Sequence, residues 1–232
     1  MILKKRNKKK VLVIAAHPDD EVIGCGGTMA KLKKEGNEIS VLFLADGESS
    51  RKVKNIDKFI KKRKKAAYKS SKILGVKNTY FCDLPDNNLD SINRLVIIKL
   101  IEKYIFEIQP QIIFTHFNGD LNIDHQIVNK SVVTACRPQK KNPVKKLLFF
   151  EIPSSTDWQI ETKKKSVFNP NWFEDISKTR NLKIKALKAY ASEMRQWPHP
   201  RSLKGINSLM QVRGATAGFN FAEAFVLGRL KN

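Results

Sequence analysis

The chain has 232 residues, 41% of them hydrophobic, which is enough to bury a full core in one domain spanning residues 1–232. Lys and Arg total 44 against 22 Asp and Glu, a net charge of +22, with the excess gathered in a basic arm over residues 1–10 and in runs at 61–65, 140–146 and 163–165. These runs lack interleaved aromatics and read as solvated faces, so no specific nucleic-acid partner is expected. No apolar run approaches the ~18 residues of a membrane span, and Met1-Ile2-Leu3 is too short for a signal-peptide core. Cys25, Cys82 and Cys136 are odd in number and show no CxxC spacing, which predicts reduced, buried thiols and a cytoplasmic protein.

Residues 11–16 are six small apolar residues, the pattern of a strand covered on both faces, and Pro18 forbids its continuation. A helix over 21–34 buries Val22, Cys25, Met29 and Leu32 and is ended by Gly36. A strand over 39–45, a helix over 58–74 closed by Gly75 and a short strand over 79–82 follow. Ser91 is expected to cap a helix running to 108, ahead of Pro110 and a fourth strand over 111–115. Ile123 or Asp124 opens another helix, and 147–150 is a fifth strand.

Beyond it the pattern loosens. Residues 153–175 show little periodicity, 177–194 reads as a helix, and Trp197-Pro198-His199-Pro200 is a rigid loop. A further helix over 202–211 and a closing strand over 222–229 complete the chain. Five strands separated by helices predict an α/β fold: a doubly wound, mainly parallel sheet with helices on both faces and a less regular C-terminal part.

The chemistry gathers where the first strand ends, in His17-Pro18-Asp19-Asp20-Glu21. Ligands of open α/β sheets bind at the carboxyl ends of the strands. His17 and Asp20 are three apart and can share one cation, for which zinc suits an imidazole plus a carboxylate. The exit of the fourth strand, Asp120-Leu121-Asn122-Ile123-Asp124-His125, offers His125 as third ligand and leaves the fourth position to water, the arrangement of a catalytic site. Asp19 is then free to act as base on that water, and Glu21 to orient a ligand or the first helical turn. Hydrolysis of a carbonyl compound follows.

The strand with its AHPDDE, the GCGGT after it and the later DLNIDH resemble the PIG-L/LmbE-like family of zinc-dependent deacetylases acting on N-acetylglucosamine-type amides. The resemblance implies a Rossmann-like fold and hydrolysis of an acetamido group to amine and acetate. By position, His17, Asp20 and His125 resemble the family's zinc ligands and Asp19 its general base. Several members have a histidine three residues before the second zinc histidine, where this chain has Asn122. An asparagine amide donates a hydrogen bond to an oxyanion but supplies no positive charge. His199 in the Pro-flanked loop is the candidate to fill that role, with His116 second and grouped with the substrate-binding residues. Arg63 shares a helical stripe with Ile60, Ala67, Ser70 and Leu74 and is expected to reach a sugar hydroxyl or phosphate, as an arginine near this position does in the family. Asp86, in a Pro-Asp-Asn turn, is expected to accept from sugar hydroxyls.

The expected function is zinc-dependent removal of the acetyl group from an N-acetylated amino sugar linked to a nucleotide, lipid or thiol-precursor aglycone. Oligomeric state stays open, a homo-oligomer included. A neighbouring reading keeps the zinc and cleaves a different amide conjugate. A dinucleotide fingerprint fails on spacing, since Met29 stands where Gly24-Cys25-Gly26-Gly27 would need its third glycine. A non-enzymatic nucleic-acid-binding protein would leave the residues from His17 to Glu21 unexplained.

Overall fold

The strand Lys10–Ala15 (β1) is buried along all but its first residue, and its alternation divides the molecule into two layers. The computed structural model describes residues 8–160 and 167–231; most of the basic arm and the lysine run at 163–165 lie outside them. Val11, Val13 and Ala15 face one apolar layer, Leu12 and Ile14 the other, as the two-residue period of a strand requires.

Around β1 lie β2 (Glu38–Ala45), β3 (Asn78–Leu84), β4 (Ile112–His116), β5 (Lys146–Phe150), β6 (Trp172–Asp175) and β7 (Ala222–Leu230), in the order β3-β2-β1-β4-β5-β7-β6. The first five are mutually parallel, whereas β7 runs antiparallel to both β5 and β6. Helices α1 (Asp20–Lys34), α2 (Ile56–Leu74), α5 (Arg180–Leu187) and α6 (Leu203–Ala217) pack on one face, and α3 (Arg94–Ile108) and α4 (Ile123–Ala135) on the other. The sheet order reverses between β1 and β4, so their carboxyl ends open the crevice in which such folds bind ligands. No helix among the described residues is long and apolar enough to cross a membrane.

Several predicted elements differ, among them the helix expected over 202–211, which runs over Leu203–Ala217. Ser91 lies in a short 3-10 turn, Leu89–Ser91, and Asn93 caps α3 by accepting the Leu95 N–H at 2.9 Å. The helix expected over 177–194 is only α5, followed by a 3-10 turn over Lys188–Tyr190 that buries Tyr190 completely. Within the stretch read as irregular, β6 extends the sheet by pairing with β7.

Helix α1 is broken at Cys25 (φ −146°), just after the loop that carries the acidic motif. The amides of Gly27 and Thr28, freed by that break, donate to the Glu223 carboxylate at 2.9 and 2.7 Å. Glu223 is paired with the buried Lys183 ammonium at 2.6 Å, which also reaches the Ile23 carbonyl at 2.7 Å. The glycines let this helix lie close to its neighbours: a Cβ on Gly27 would meet Ile176 at 2.8 Å, and one on Gly24 would enter the Phe150 ring.

Candidate active site

At the end of β1, His17, Asp20 and His125 present one nitrogen or oxygen atom each, all within 4.8 Å of one another. Asp20 Oδ2 is the hub, 3.3 Å from His17 Nδ1 and 3.3 Å from His125 Nε2, and it also accepts the His17 backbone N–H at 2.9 Å. His17 follows β1, Asp20 opens α1 and His125 lies in the first turn of α4. The crevice between β1 and β4 therefore collects residues more than a hundred positions apart.

The far nitrogens of both imidazoles meet carboxylates. His17 Nε2 lies 2.9 Å from Asp124 Oδ2 and 3.1 Å from Asp86 Oδ1, and His125 Nδ1 lies 3.1 Å from Asp120 Oδ1. These acids are held in turn: Asp124 accepts the amides of Asn87 (2.8 Å) and Leu89 (3.0 Å), and Asp120 accepts the hydroxyls of Ser155 and Thr156. A carboxylate behind each histidine fixes the ring and raises its basicity, the arrangement found around metal-ligating histidines. Although burial opposes it, Asp124, Asp20 and Asp86 raise the imidazole of His17 well above its usual range, and Asp20 with Asp120 raises that of His125 to about 9. Burial would raise Asp20, yet His125 and His17 hold it well below the ordinary carboxylate range. Two buried nitrogens and an oxygen, in a surround that favours positive charge, fit a divalent cation of the zinc type.

Asp19 stands apart from this cluster. Its φ of 135° is a conformation that residues other than glycine rarely adopt, and such strain persists only where the surroundings enforce it. Glu21 enforces it, accepting the Asp19 N–H at 3.0 Å through one oxygen and the Tyr190 hydroxyl at 2.8 Å through the other. Burial raises the Glu21 carboxyl to about 8. The Asp19 carboxylate is met by Arg201 and, at 3.5 Å, by Arg63. Burial lifts its pKa above the usual value against the pull of these two guanidiniums.

A cavity of about 200 Å³ opens over Asp19, Asp20, His17 and His125. Asn122, Arg63 and Asp86 also line it. The Asn122 carbonyl caps α4, accepting the amides of Asp124 (2.8 Å) and His125 (3.3 Å), while its NH2 group donates to Asn87 at 3.0 Å. Asp86 is turned to His17 and to the Ser50 hydroxyl; burial opposes its ionisation, but His17 brings its pKa down to about 2. Arg63 is engaged by Glu48 (3.1 Å), Glu193 (3.0 Å) and the Gly47 carbonyl (3.0 Å).

Two expected residues are placed differently. His116 is fully buried, stacked on His125 with ring centroids 3.9 Å apart, and its Nε2 accepts the Ala16 N–H at 2.9 Å, so it supports the site from beneath instead of facing a ligand. Burial and the neighbouring His125 push its pKa well below the usual value. His199 does not line the cavity; its ring meets the Trp158 edge at 5.3 Å and its Nδ1 accepts the Arg201 N–H at 3.0 Å. The loop carrying His199 does reach the cavity, through Arg195 and Arg201. Sequence reasoning passed over both arginines, and over Glu48, Arg51 and Glu193, because single charged residues in loops carry no spacing signal. For Arg201 the one local hint is Pro200 just before it.

Comparison with known proteins bears on this geometry. The family model described as PIG-L, GlcNAc-PI de-N-acetylase, matches residues 12–136, more than half of the chain and the part that carries every proposed metal ligand. The chain belongs to the PIG-L family. It is 27% identical over 197 residues to the uncharacterized deacetylase YaiS of Escherichia coli, covering 82% of this chain and 96% of that protein. It is 23% identical over 196 residues to a probable N-acetyl-alpha-D-glucosaminyl L-malate deacetylase 2 of Bacillus anthracis, covering 81% and 83%. The structure of N,N'-diacetylchitobiose deacetylase from Pyrococcus horikoshii superposes with a TM-score of 0.76 at 23% identity, over 95% of this chain and 84% of that one, a likeness of fold. The strand-to-loop geometry of His17, Asp20 and His125 is thus found within a PIG-L fold.

Proposed function

We propose that this chain is a hydrolase that removes the acetyl group from an N-acetylated amino sugar or its conjugate, with a divalent metal, zinc by its donor set, held by His17, Asp20 and His125. The observation that carries the reading is the division of labour between adjacent carboxylates. Asp20 is committed to the two histidines, while Asp19, one residue earlier, is turned into the cavity and held by arginines. Membership of the PIG-L family and the deacetylase names of its relatives support the choice of reaction.

A divalent ion in this site supplies Lewis acidity, polarising an amide carbonyl and lowering the pKa of water towards about 7. The chain's own groups do the rest. Asp19 Oδ accepts a proton from the water that attacks the acetyl carbon, then returns it to the departing nitrogen, so amide and water become amine and acetate. Arg63 and Arg201 aim that carboxylate and pull its pKa back down against burial. With His116 buried and His199 outside the cavity lining, the Asn122 NH2 group, which lines the cavity and has a second hydrogen beyond its bond to Asn87, serves as a donor to the developing oxyanion. His17 and His125 are kept in register by Asp124, Asp86 and Asp120.

The test is direct. Zinc-loaded protein is assayed for acetate release from free and conjugated N-acetylglucosamine, alongside metal analysis of the same preparation. Release that depends on the added metal supports the reading; a metal-replete protein that frees no acetate from any acetamido sugar overturns it.

A further inference from the structure

A separate cavity, about 560 Å³ in volume, opens at the opposite edge of the sheet from the candidate active site. Lys9 precedes β1, Ile112 begins β4, Lys146 begins β5 and Leu230 ends β7, so the cavity lies at the amino ends of the parallel strands, whereas His17, Asp20 and His125 gather at the carboxyl ends. Hydrogen bonds hold these strand ends in place. The Gln111 carbonyl accepts the amides of Lys145 (2.9 Å) and Lys146 (3.0 Å), its side-chain oxygen accepts the Lys10 N–H at 2.8 Å, and the Lys231 N–H donates to the Lys145 carbonyl at 2.8 Å.

Five lysines line this cavity, Lys8, Lys9, Lys145, Lys146 and Lys231, and no acidic residue among those described does. Lys8 alone of the five has a carboxylate within 4.0 Å among the described residues, that of Glu38 at 3.2 Å, and Glu38 is shared with Lys77 at 2.9 Å. Lys146 Nζ stands 3.9 Å from the centre of the Trp172 ring, a cation–π contact that keeps it at the cavity. Burial holds its pKa below the usual lysine value; Glu174 opposes that shift and Lys9 adds to it. The chain ahead of Lys8 brings no counter-charge, since residues 1–7 contain two lysines, an arginine and no acid. Like charges crowded into one hollow repel one another, and an anion bound among them replaces that repulsion with attraction. The volume falls within the ~300–1,000 Å³ of pockets that take small ligands, and Ile112 and Leu230 add an apolar flank beside the lysines.

We propose that this cavity is a binding site for a small polyphosphate, of the kind the triphosphate chain of a nucleotide represents, separate from the proposed active site. Ammonium groups act as point charges, and a chain of phosphates offers charged oxygens to several of them at once, which a single carboxylate does not. Ile112 and Leu230 form the flank on which a nucleoside would rest. Binding here is independent of whether the protein cleaves acetamides.

The test titrates wild-type protein with inorganic triphosphate, orthophosphate and ATP, following calorimetric heat and the fluorescence of Trp172, the indole beneath Lys146. Triphosphate is expected to bind at least about tenfold more tightly than orthophosphate, because each further exposed ion pair multiplies affinity by up to about fivefold. The double variant Lys145→Gln with Lys231→Gln should lose roughly 5–25-fold in triphosphate affinity. Lys61→Gln with Lys65→Gln, which removes the same charge from exposed positions of α2, should lose none. Trp172→Phe should abolish the fluorescence change and retain calorimetric binding, which places the ligand at this cavity. Tighter binding of ATP than of triphosphate assigns a nucleotide as the ligand, and equal or weaker binding of ATP assigns the phosphate chain itself. Triphosphate no tighter than orthophosphate, or equal losses in the two double variants, overturns the site, since either means a response to net charge alone. A short DNA duplex that displaces triphosphate and is weakened by the same factor in Lys145→Gln with Lys231→Gln also overturns it, and makes this face a nucleic-acid surface.

Discussion

Residues 11–136 and residues 151–230 meet at one cavity with different chemistry. The first segment builds the parallel strands β1 to β4 and supplies His17, Asp20 and His125 with the carboxylates behind them, Asp86, Asp120 and Asp124. The second adds antiparallel β7 and supplies groups that do not touch the proposed metal ligands: Tyr190 behind Glu21, Arg201 on Asp19, Glu193 on Arg63, and Lys183 with Glu223 at the break in α1. One segment makes the proposed place for a cation and the other aims the proposed base. The difference teaches that a short motif can gather a candidate metal site while the geometry of the neighbouring carboxylate depends on long-range partners. The two roles are separable by experiment.

The largest effect is expected in the first segment. His125→Ala should lose both metal and turnover, because two remaining ligands do not make a catalytic site of the usual three. It should also lose the stabilisation that added zinc gives the wild type, about 2.7 kcal/mol at a hundredfold excess over Kd. Metal analysis and thermal melts with and without zinc check both. A variant that keeps full occupancy and activity would move the metal elsewhere.

Asp19→Asn tests the boundary between the two roles. It should keep its metal yet lose turnover by roughly 10²–10⁴, the usual contribution of a general acid–base group, since the amide retains the shape without accepting the proton. If metal is lost along with turnover, Asp19 belongs to the metal centre and the division fails. Near wild-type turnover would point to Glu21 as the base.

Lys183→Met probes the second segment. It strands the Glu223 carboxylate under the broken helix, and removing one partner of a buried pair destabilises by about 3–5 kcal/mol. Denaturant unfolding should show that loss, while the folded fraction binds zinc as the wild type does. A collapse in zinc affinity of the folded protein would instead make the C-terminal segment part of the metal centre. Asp120→Asn should do the reverse, weakening metal affinity by roughly 10–100-fold with a smaller change in stability, as loss of an outer carboxylate on a ligating histidine does.

The same contrast explains what was legible in the sequence. His17 and Asp20 could be read because Pro18 ends a buried strand and local spacing brings the two together; His125 could be read because a second strand exit carried a histidine at a helix start. The parallel strands carried the signal of continuous apolar runs. Ser91 was misread because Asn88, Ser91 and Asn93 are all competent caps within six residues, and the choice falls to Asn93 only once Leu89 is buried and tied to Asp124. Strand β6 is four half-buried residues at a sheet edge, too few for a period to emerge. Arg201, Glu193 and Glu223 act through partners 130 to 196 positions away, and no local pattern announces such pairs.

His199→Ala is the smallest expected effect and the sharpest check on the boundary between the segments. From sequence, His199 was the candidate oxyanion donor, a role whose loss lowers turnover by about 10²–10³ where it has been tested. In the folded protein its ring packs edge-on against Trp158 and its Nδ1 accepts the Arg201 amide, outside the cavity lining. An aromatic pair of that kind contributes about 0.5–1.5 kcal/mol. Even if all of it were felt in the transition state, turnover would fall about tenfold at most, since 1.36 kcal/mol corresponds to a factor of ten. Any fall should come through the Arg195 to Arg201 turn, and so should raise KM more than it lowers kcat. A drop in kcat well beyond tenfold, with zinc content intact, would return His199 to the reacting atoms and require the turn to close further over the cavity when substrate binds.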